Sequence, residues 1–211
     1  WGIPEDRLHL LPNCVDAGRI CPTHLPAEPL TIGYAGSLIN YEGLDTLLHA
    51  LRQLRQSGMA TRLEIAGHGE AHEALEHLTT ELGLDDAVRF YGRLSPEDAR
   101  ARLSRCTLVC IPRRPFTVCK IVPPLKLAEA MALEKPVIVP DLPLFHDEAG
   151  DAGWFFRPGD AAHLAQVLAT ALENPERCAT MARKGRERII SYRQWKHFVP
   201  YILGEEICLV R

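Results

Sequence analysis

Short apolar segments alternate with longer segments of helical periodicity along most of this chain, and this alternation limits the possible folds more than any other feature. The segments 30–36 and 61–67, for example, are largely apolar runs that end in glycine. Each is followed by a stretch of roughly 10 to 15 residues with apolar side chains at helical spacing. Strands that alternate with helices form right-handed crossovers and lie parallel in one sheet. The sequence therefore predicts the α/β class, with an open parallel sheet and helices on both faces.

The predicted elements divide the chain into three parts. Residues 1–29 are rich in proline and glycine and are predicted to be a linker with a partial edge strand at 7–12. Residues 30–190 form the regular domain, and 191–211 continue as C-terminal helices. The predicted strands lie at 30–36, 61–67, 87–92, 107–112, 137–139 and near 153–158. The predicted helices lie at 44–58, 72–84, 95–106, 125–133, 161–173, 181–190 and 191–203.

Glycines follow several of the predicted strands, at the edge where open parallel sheets bind ligands. Gly36, Gly67, Gly69 and Gly92 all stand at strand ends, where a missing Cβ lets the backbone approach a ligand. Each of them alone is better explained as a turn residue, but together they favour a phosphate or nucleotide crevice. The sequence contains neither GxGxxG nor a GxxxxGK loop ending in Ser or Thr, which counts against an NAD-type fold and a P-loop.

The stretch KIVPPLKLAEAMALEKPVIVPD, residues 120–141, combines a turn, a short helix and a buried strand. Pro123 and Pro124 favour an extended entry, and the run of helix formers after them carries one carboxylate, Glu129, among small residues. A helix that begins at the carboxyl end of a parallel strand directs unpaired N–H groups and its positive dipole end at the crevice. The stretch therefore predicts a site for an anionic ligand such as a diphosphate.

Composition argues against several other classes of protein. The net charge is −3 and no basic stripe is interleaved with aromatics, so nucleic acid is not expected as a partner. No apolar run reaches about 18 residues, so no membrane span is expected. The seven cysteines lack CxxC spacing, which favours a reducing cytosol, and Cys106 and Cys110 are predicted to be small buried hydrophobes instead of metal ligands. The N-terminus lacks an initiator Met and a signal peptide, so we expect the chain to begin inside a longer protein.

Several segments, in this order and spacing, resemble the C-terminal half of a retaining GT-B glycosyltransferase. The similarity is to glycosyltransferase group 1, the large family of nucleotide-sugar transferases that includes bacterial mannosyl- and glucosyltransferases, and it extends from about Leu8 to Glu176. The segments are LPNCVD, YAGSLINYEGLDTLLHAL, EIAGHGE, FYGRLSPED, PLKLAEAMALEKPVIVPD and GWFFRPGDAAHLAQVLATALENPE. The resemblance implies that residues 30–190 are a Rossmann-like nucleotide-sugar-binding domain and that 191–211 pack toward an N-terminal domain outside this chain.

The resemblance also implies a function, because the C-terminal domain of this family holds the sugar-nucleotide donor and the N-terminal domain holds the acceptor sugar or glycolipid. We therefore expect transfer of a hexose from a UDP- or GDP-sugar with retention, in the synthesis of cell-surface polysaccharide or glycolipid. The bacterial enzyme would be cytoplasmic, at the inner face of the cell membrane, with no cofactor or metal, and this fragment alone would be inactive. The alternative is a non-catalytic nucleotide-binding or scaffold domain of the same fold.

Several site residues are implied by the match to family positions. Glu129 matches the glutamate that accepts hydrogen bonds from ribose hydroxyls, and a paired acid on a helix surface is the alternative. Leu125 and Lys126 match positions at the diphosphate, where a solvated lysine is the alternative. The segment 146–148 resembles the loop that contacts the sugar ring, whereas His68 is expected to serve a turn. The other predicted binding residues are Gly36 and Ser37 in the first glycine loop, the strand-end Gly67, and Arg93 and Leu94 at the nucleobase.

The chain departs from the family pattern at positions that bear on catalysis. Many members have an arginine and a lysine where Ser37 and Glu42 stand, and an acidic residue where Lys120 or Ile121 stands. Cleavage of a sugar–diphosphate bond needs positive charge near the leaving group, and loss of such a stabiliser costs about 3 kcal/mol or more.

Two explanations of these departures remain open. In the first, cations are relocated: Arg113, Lys126 and Lys120 assist catalysis, and Arg114 binds phosphate beside Arg113, since guanidinium matches phosphate geometry. In the second, the site has decayed and the domain binds nucleotide weakly or acts as a scaffold. Taken alone, two adjacent arginines in a loop are better explained as a solvated turn.

Overall fold

The predicted open parallel sheet is confirmed in a computed structural model of the chain, which describes residues 2, 4, 11–23 and 26–199. Over these residues six strands form one sheet in the order β3-β2-β1-β4-β5-β6, and all five pairings are parallel. The strands are β1 (Thr31–Ala35), β2 (Arg62–Ala66), β3 (Val88–Phe90), β4 (Leu108–Cys110), β5 (Val137–Pro140) and β6 (Gly153–Phe156).

Helices connect successive strands and follow the last one. They are α1 (Leu44–Gln56), α2 (His72–Glu81), α3 (Pro96–Arg105), α4 (Thr117–Ile121), α5 (Leu125–Ala132), α6 (Pro143–Ala149), α7 (Ala161–Glu173) and α8 (Pro175–Tyr192). Ser95 caps the start of α3, because its side chain accepts a hydrogen bond from the Asp98 N–H. None of the helices in the described part of the chain is long and apolar enough to cross a membrane.

Some predicted elements were wrong or missed. The sequence showed no helix at α4 or α6, because helices of five and seven residues are too short to display a helical period. The predicted helix 191–203 is wrong at residues 193–198, since α8 ends at Tyr192 and a short 3-10 turn, Trp195–His197, follows. The predicted strand 7–12 lies largely outside the described residues. The domain boundaries at 29 and 190 remain predictions.

The core lies on both faces of the sheet, as the largely apolar sequences of β4 and β5 require. Leu108 and Cys110 point into one apolar cluster with α1 and α7, whereas Val109 and Ile111 point into the other with α5 and α8. Burial of each such side chain contributes about 1.5–3 kcal/mol to folding. Both faces of the sheet are therefore covered, and its carboxyl edge is left for the loops that follow the strands.

Five of the six cysteines in the described part of the chain are buried, and Cys21 is exposed. Cys106 and Cys110 are fully buried, and no group of three or more His, Cys, Asp or Glu side chains among the described residues is placed to hold a metal ion. Burial raises the pKa of Cys106 to about 12 and raises the pKa of Cys110 as well. Both thiols are therefore neutral and act as small apolar groups, as the sequence predicts.

Candidate functional site

A cavity of about 450 Å³ opens at the carboxyl edge of the sheet, beside the point where the chain crosses from one half of the sheet to the other. The central strand β1 pairs with β2 on one side and with β4 on the other, so the loops that follow them diverge there. The cavity is lined by Ala35, Gly36, Ser37, Ile39, Tyr41, Glu42, Ala66, Gly67, His68, Arg93, Leu94, Pro96, Ala99, Arg113, Pro124, Leu125, Lys126 and Glu129.

Glycine loops form one wall of this cavity. The Gly36 N–H donates to the Ala66 carbonyl at 2.9 Å, and the Gly67 N–H donates to the Gly92 carbonyl at 2.8 Å, so the loops after β1, β2 and β3 are joined by backbone hydrogen bonds. Gly67 has φ +149°, and a Cβ there would lie 1.8 Å from the Gly36 carbonyl oxygen. The close approach of the loops therefore requires glycine at residue 67.

The start of helix α5 forms the opposite wall. Its N-cap residue, Pro124, makes no side-chain capping bond to the first turn, and Leu125 and Lys126 both line the cavity. A helix N-terminus carries unpaired N–H groups and a partial positive charge, which suit an anion. The Glu129 side chain lines the same cavity, is 29% exposed, and lies 3.5 Å from the Arg100 guanidinium, measured from Oε1 to Nη1.

A buried ionic cluster forms the floor between these walls. The Glu42 carboxylate is about 2% exposed and accepts hydrogen bonds from Arg113 Nε at 3.1 Å, Arg113 Nη2 at 3.0 Å and Lys126 Nζ at 2.6 Å. Lys126 Nζ also donates to the Tyr34 hydroxyl at 2.9 Å and lies 4.7 Å from the centre of the Tyr34 ring. Two cations and one carboxylate leave the cluster with a net positive charge.

The ionisation of the cluster follows from burial and from its own charges. Burial by itself would raise the pKa of Glu42, but Lys126 and Arg113 outweigh it and hold that pKa below its usual value. Burial lowers the pKa of Lys126, and the Glu42 carboxylate opposes this effect. Burial and the nearby Glu42 raise the pKa of Tyr34 well above its usual value, so its hydroxyl stays neutral.

The structure brings most of the sequence-predicted site residues to this one cavity and leaves two outside it. Those that line it are Gly36, Ser37, Gly67, Arg93, Leu94, Arg113, Leu125, Lys126 and Glu129. Arg114 lies outside the lining because its guanidinium pairs with Asp45 and donates to Asn40 Oδ1 at 3.0 Å. Lys120 lies on α4, also outside the lining. Binding and catalytic roles for all eleven residues remain predictions.

Helix α6 occupies the segment predicted to be a sugar-contacting loop. His146 Nε2 lies 2.6 Å from Asp141 Oδ1, its ring stacks on Phe155 at 3.9 Å, and Glu148 accepts a hydrogen bond from Arg193 at 3.0 Å. None of these residues lines the cavity. His68, expected to serve a turn, is an exposed residue of the lining.

Sequence reasoning missed Tyr34, Arg100 and the pairing of Glu42 with two cations. Tyr34 lies within an apolar strand, where its pattern is that of a core residue. Glu42 is 71 residues from Arg113 and 84 from Lys126, so no local spacing could have revealed the cluster.

The six-stranded parallel sheet with its cavity at the crossover is a Rossmann-like α/β domain of the GT-B fold. The chain belongs to the family described as glycosyl transferases group 1, which matches residues 22–188. The resemblance seen in the sequence is therefore confirmed.

Similar proteins agree with this assignment. WcaL of Escherichia coli K12, assigned as a glycosyltransferase of colanic acid biosynthesis, is 29% identical over 89% of this chain and 48% of its own length. The chain spans about half the length of the curated relatives it matches. The sucrose-phosphate synthase of Thermosynechococcus elongatus shares the fold with a TM-score of 0.79 and 24% identity, over 93% of this chain and 51% of its own. Anabaena HepE, solved in complex with UDP and glucose, shares it with a TM-score of 0.71 and 20% identity, over 83% of this chain and 47% of its own.

Proposed function

We propose that this chain is the donor-binding half of a glycosyltransferase that transfers a hexose, with retention, from a UDP- or GDP-sugar in the synthesis of cell-surface polysaccharide or glycolipid. The observation that carries the proposal is the cavity at the crossover, where the start of α5 and two cations meet a glycine wall. A diphosphate is bound by N–H donors and positive charge, which the start of α5 and the two cations would supply.

We propose that residues around the cavity bind the successive parts of a nucleotide sugar. The Gly36 loop, the start of α5, Lys126 and Arg113 surround the place assigned to the diphosphate. Glu129 lies one turn further along α5, where its carboxylate would accept hydrogen bonds from the ribose, and Arg93 lies on the rim after β3. The complex of HepE with UDP and glucose supports this choice of donor class, and the assignment of WcaL to colanic acid biosynthesis supports the choice of product class.

The rest of the reaction belongs to parts of the protein outside this chain. We propose that the acceptor sugar or glycolipid binds to an N-terminal domain, that the donor is used without a resident cofactor, and that the enzyme works in the cytoplasm at the inner face of the membrane. This chain alone is then expected to bind donor without transferring sugar. The alternative, a non-catalytic nucleotide-binding or scaffold domain, is favoured by the departures at Ser37, Glu42 and Lys120.

Calorimetric titration of the chain with UDP and GDP tests the proposal. We expect one of the two nucleotides to bind, and we expect Lys126→Met to weaken that binding about tenfold or more, since a charge-assisted hydrogen bond contributes about 1.5–3 kcal/mol. Lys184→Met is the matched control, because Lys184 lies on α8, pairs with Asp151 and does not line the cavity. Failure of both nucleotides to bind at millimolar concentration would favour the scaffold alternative.

A further inference from the structure

Glu42 stands where the family resemblance leads one to expect a lysine, yet it does not leave the cavity negatively charged. Its carboxylate is buried, and both of its oxygens are used: Oε1 accepts from Arg113, and Oε2 accepts from Lys126. Without Glu42, two cations would share a buried site with no opposing carboxylate among the partners described for them. Glu42 therefore permits both cations to lie at the cavity floor.

Both cations keep hydrogen-bond donors to spare. An ammonium has three donors, and within the described part of the chain Lys126 Nζ has two side-chain partners, Glu42 and Tyr34. A guanidinium has five, of which Arg113 uses Nε and Nη2 on Glu42 and Nη1 on the Val122 carbonyl at 3.0 Å. Because both side chains line the cavity, their remaining donors are available to an anion there.

The ammonium of Lys126 is held at one particular place in the cavity. A Cβ on Gly36 would lie 2.6 Å from Lys126 Nζ, so the charge stands directly against the first glycine loop. The Lys126 side chain is only 15% exposed. A lysine that is already fixed in position loses less side-chain entropy when it binds an anion than a mobile one.

We propose that Glu42 is a positioning residue: it fixes Lys126 and Arg113 at the cavity floor, so that their remaining N–H groups receive the diphosphate of the nucleotide donor. The nature of the ligand rests on the proposed function. Glu42 also lines the cavity, but both of its carboxylate oxygens accept hydrogen bonds from the cations, so its effect on the donor comes through them.

The charge of Lys126 is the property that separates positioning from a general structural role. In the described part of the chain, the charged or titratable groups that face Lys126 include Tyr34, Glu42, Arg113 and Cys119. Burial raises the pKa of both Tyr34 and Cys119, so both are neutral near pH 7. Glu42 is thus the anion that keeps Lys126 protonated against burial and against Arg113.

The first experiment follows the protonation of Lys126 without any nucleotide. The chain has five lysines, so a sample with ¹³C-lysine gives few ε-carbon signals, and Lys126→Arg identifies the one of interest. In Glu42→Gln we expect the titration midpoint of Lys126 to fall by about one pH unit or more. Asp45→Asn, which removes a nearby carboxylate that pairs with Arg114, is expected to leave the midpoint unchanged. An unchanged midpoint in Glu42→Gln would overturn the inference.

The second experiment measures UDP and GDP binding at pH 7 and at pH 9.5. Between pH 7 and pH 9.5, the nucleotide affinity of Glu42→Gln should fall about tenfold more than that of the native chain. The double variant Glu42→Gln/Lys126→Arg should not show this extra loss, because arginine stays charged at both pH values. If Glu42→Gln does not fold, Glu42→Asp replaces it in the test. Its side chain is one methylene shorter, so the carboxylate is kept but lies further from the two cations, and at least a threefold loss of nucleotide affinity is expected at both pH values. If the native chain binds nucleotide and the variants show none of these changes, the inference is overturned and the proposed function stands. If the native chain does not bind nucleotide, both the proposed function and this inference are overturned.

Discussion

The assignment of Glu129 to the ribose of the donor leads to a prediction that a thermodynamic cycle can test. Glu129→Ala removes a carboxylate that lines the cavity and is 29% exposed. A hydrogen bond to a charged group is worth about 1.5–3 kcal/mol, and partial exposure places Glu129 at the low end, so UDP affinity should fall about tenfold. The same substitution should have less effect on 2′-deoxy-UDP, because that nucleotide lacks one of the hydroxyls that the carboxylate would accept from.

The assay is calorimetric titration of both nucleotides into both proteins, which gives the coupling between the carboxylate and the hydroxyl directly. Glu97→Ala is the matched control. Glu97 pairs with Arg100 at 2.8 Å, as Glu129 does at 3.5 Å, but it is 70% exposed and does not line the cavity. Equal weakening of UDP and 2′-deoxy-UDP by Glu129→Ala, or an equal effect of Glu97→Ala, would refute the ribose assignment.

Two further predictions concern stability. Gly67→Ala should lower the free energy of unfolding by more than about 2 kcal/mol in urea titrations, because the added Cβ would overlap the Gly36 carbonyl oxygen. Gly58 is the control: its φ is +91° and an added Cβ would have no atom within 4 Å, so Gly58→Ala should cost only the backbone strain of about 1 kcal/mol. Equal costs would contradict the close approach of the loops. Glu42→Gln should destabilise the chain by about 3–5 kcal/mol near pH 7, because it leaves two buried cations without their carboxylate. Since the folded pKa of Glu42 lies below its usual value, this difference between native and variant should persist above about pH 4.3 and shrink as the pH falls through the folded pKa. A difference that grows with acidification would contradict the ion cluster.

Local patterns explain why the regular elements were predictable. The strands β1 to β6 and the helices α1, α2, α3, α5 and α7 all coincide with predicted segments, which apolar runs, helical spacing or terminal glycines mark in the sequence; β5 extends one residue further, to Pro140. The exceptions α4 and α6 are too short to show a period. The predicted helix 181–190 lies within α8, which begins earlier, at Pro175. Apolar spacing that continues past Tyr192 suggested the separate helix 191–203, although the chain turns there and Val15 pairs with Gln194 through the backbone.

The candidate site was predictable to the extent that it follows from strand ends. Parallel strands bring their carboxyl ends to one edge, so Gly36, Gly67 and the start of α5 had to meet once the topology was known. The same reasoning placed Arg113 and Arg114 together at that edge. Their different positions depend on side-chain direction: Arg113 turns inward to Glu42, and Arg114 turns outward to Asp45.

The sequence by itself determined the fold class, the edge of the sheet that carries the cavity, and the family to which the chain belongs, because each of these follows from short-range patterns and motifs. Only the tertiary structure decided how the unusual charges are arranged. Glu42 and Lys126 are 84 residues apart, and their contact depends on the distance and direction of two side chains across the crossover between β1 and β4. In the sequence Glu42 is an acid where a base is expected, and in the fold it is the carboxylate that holds two cations at the cavity floor.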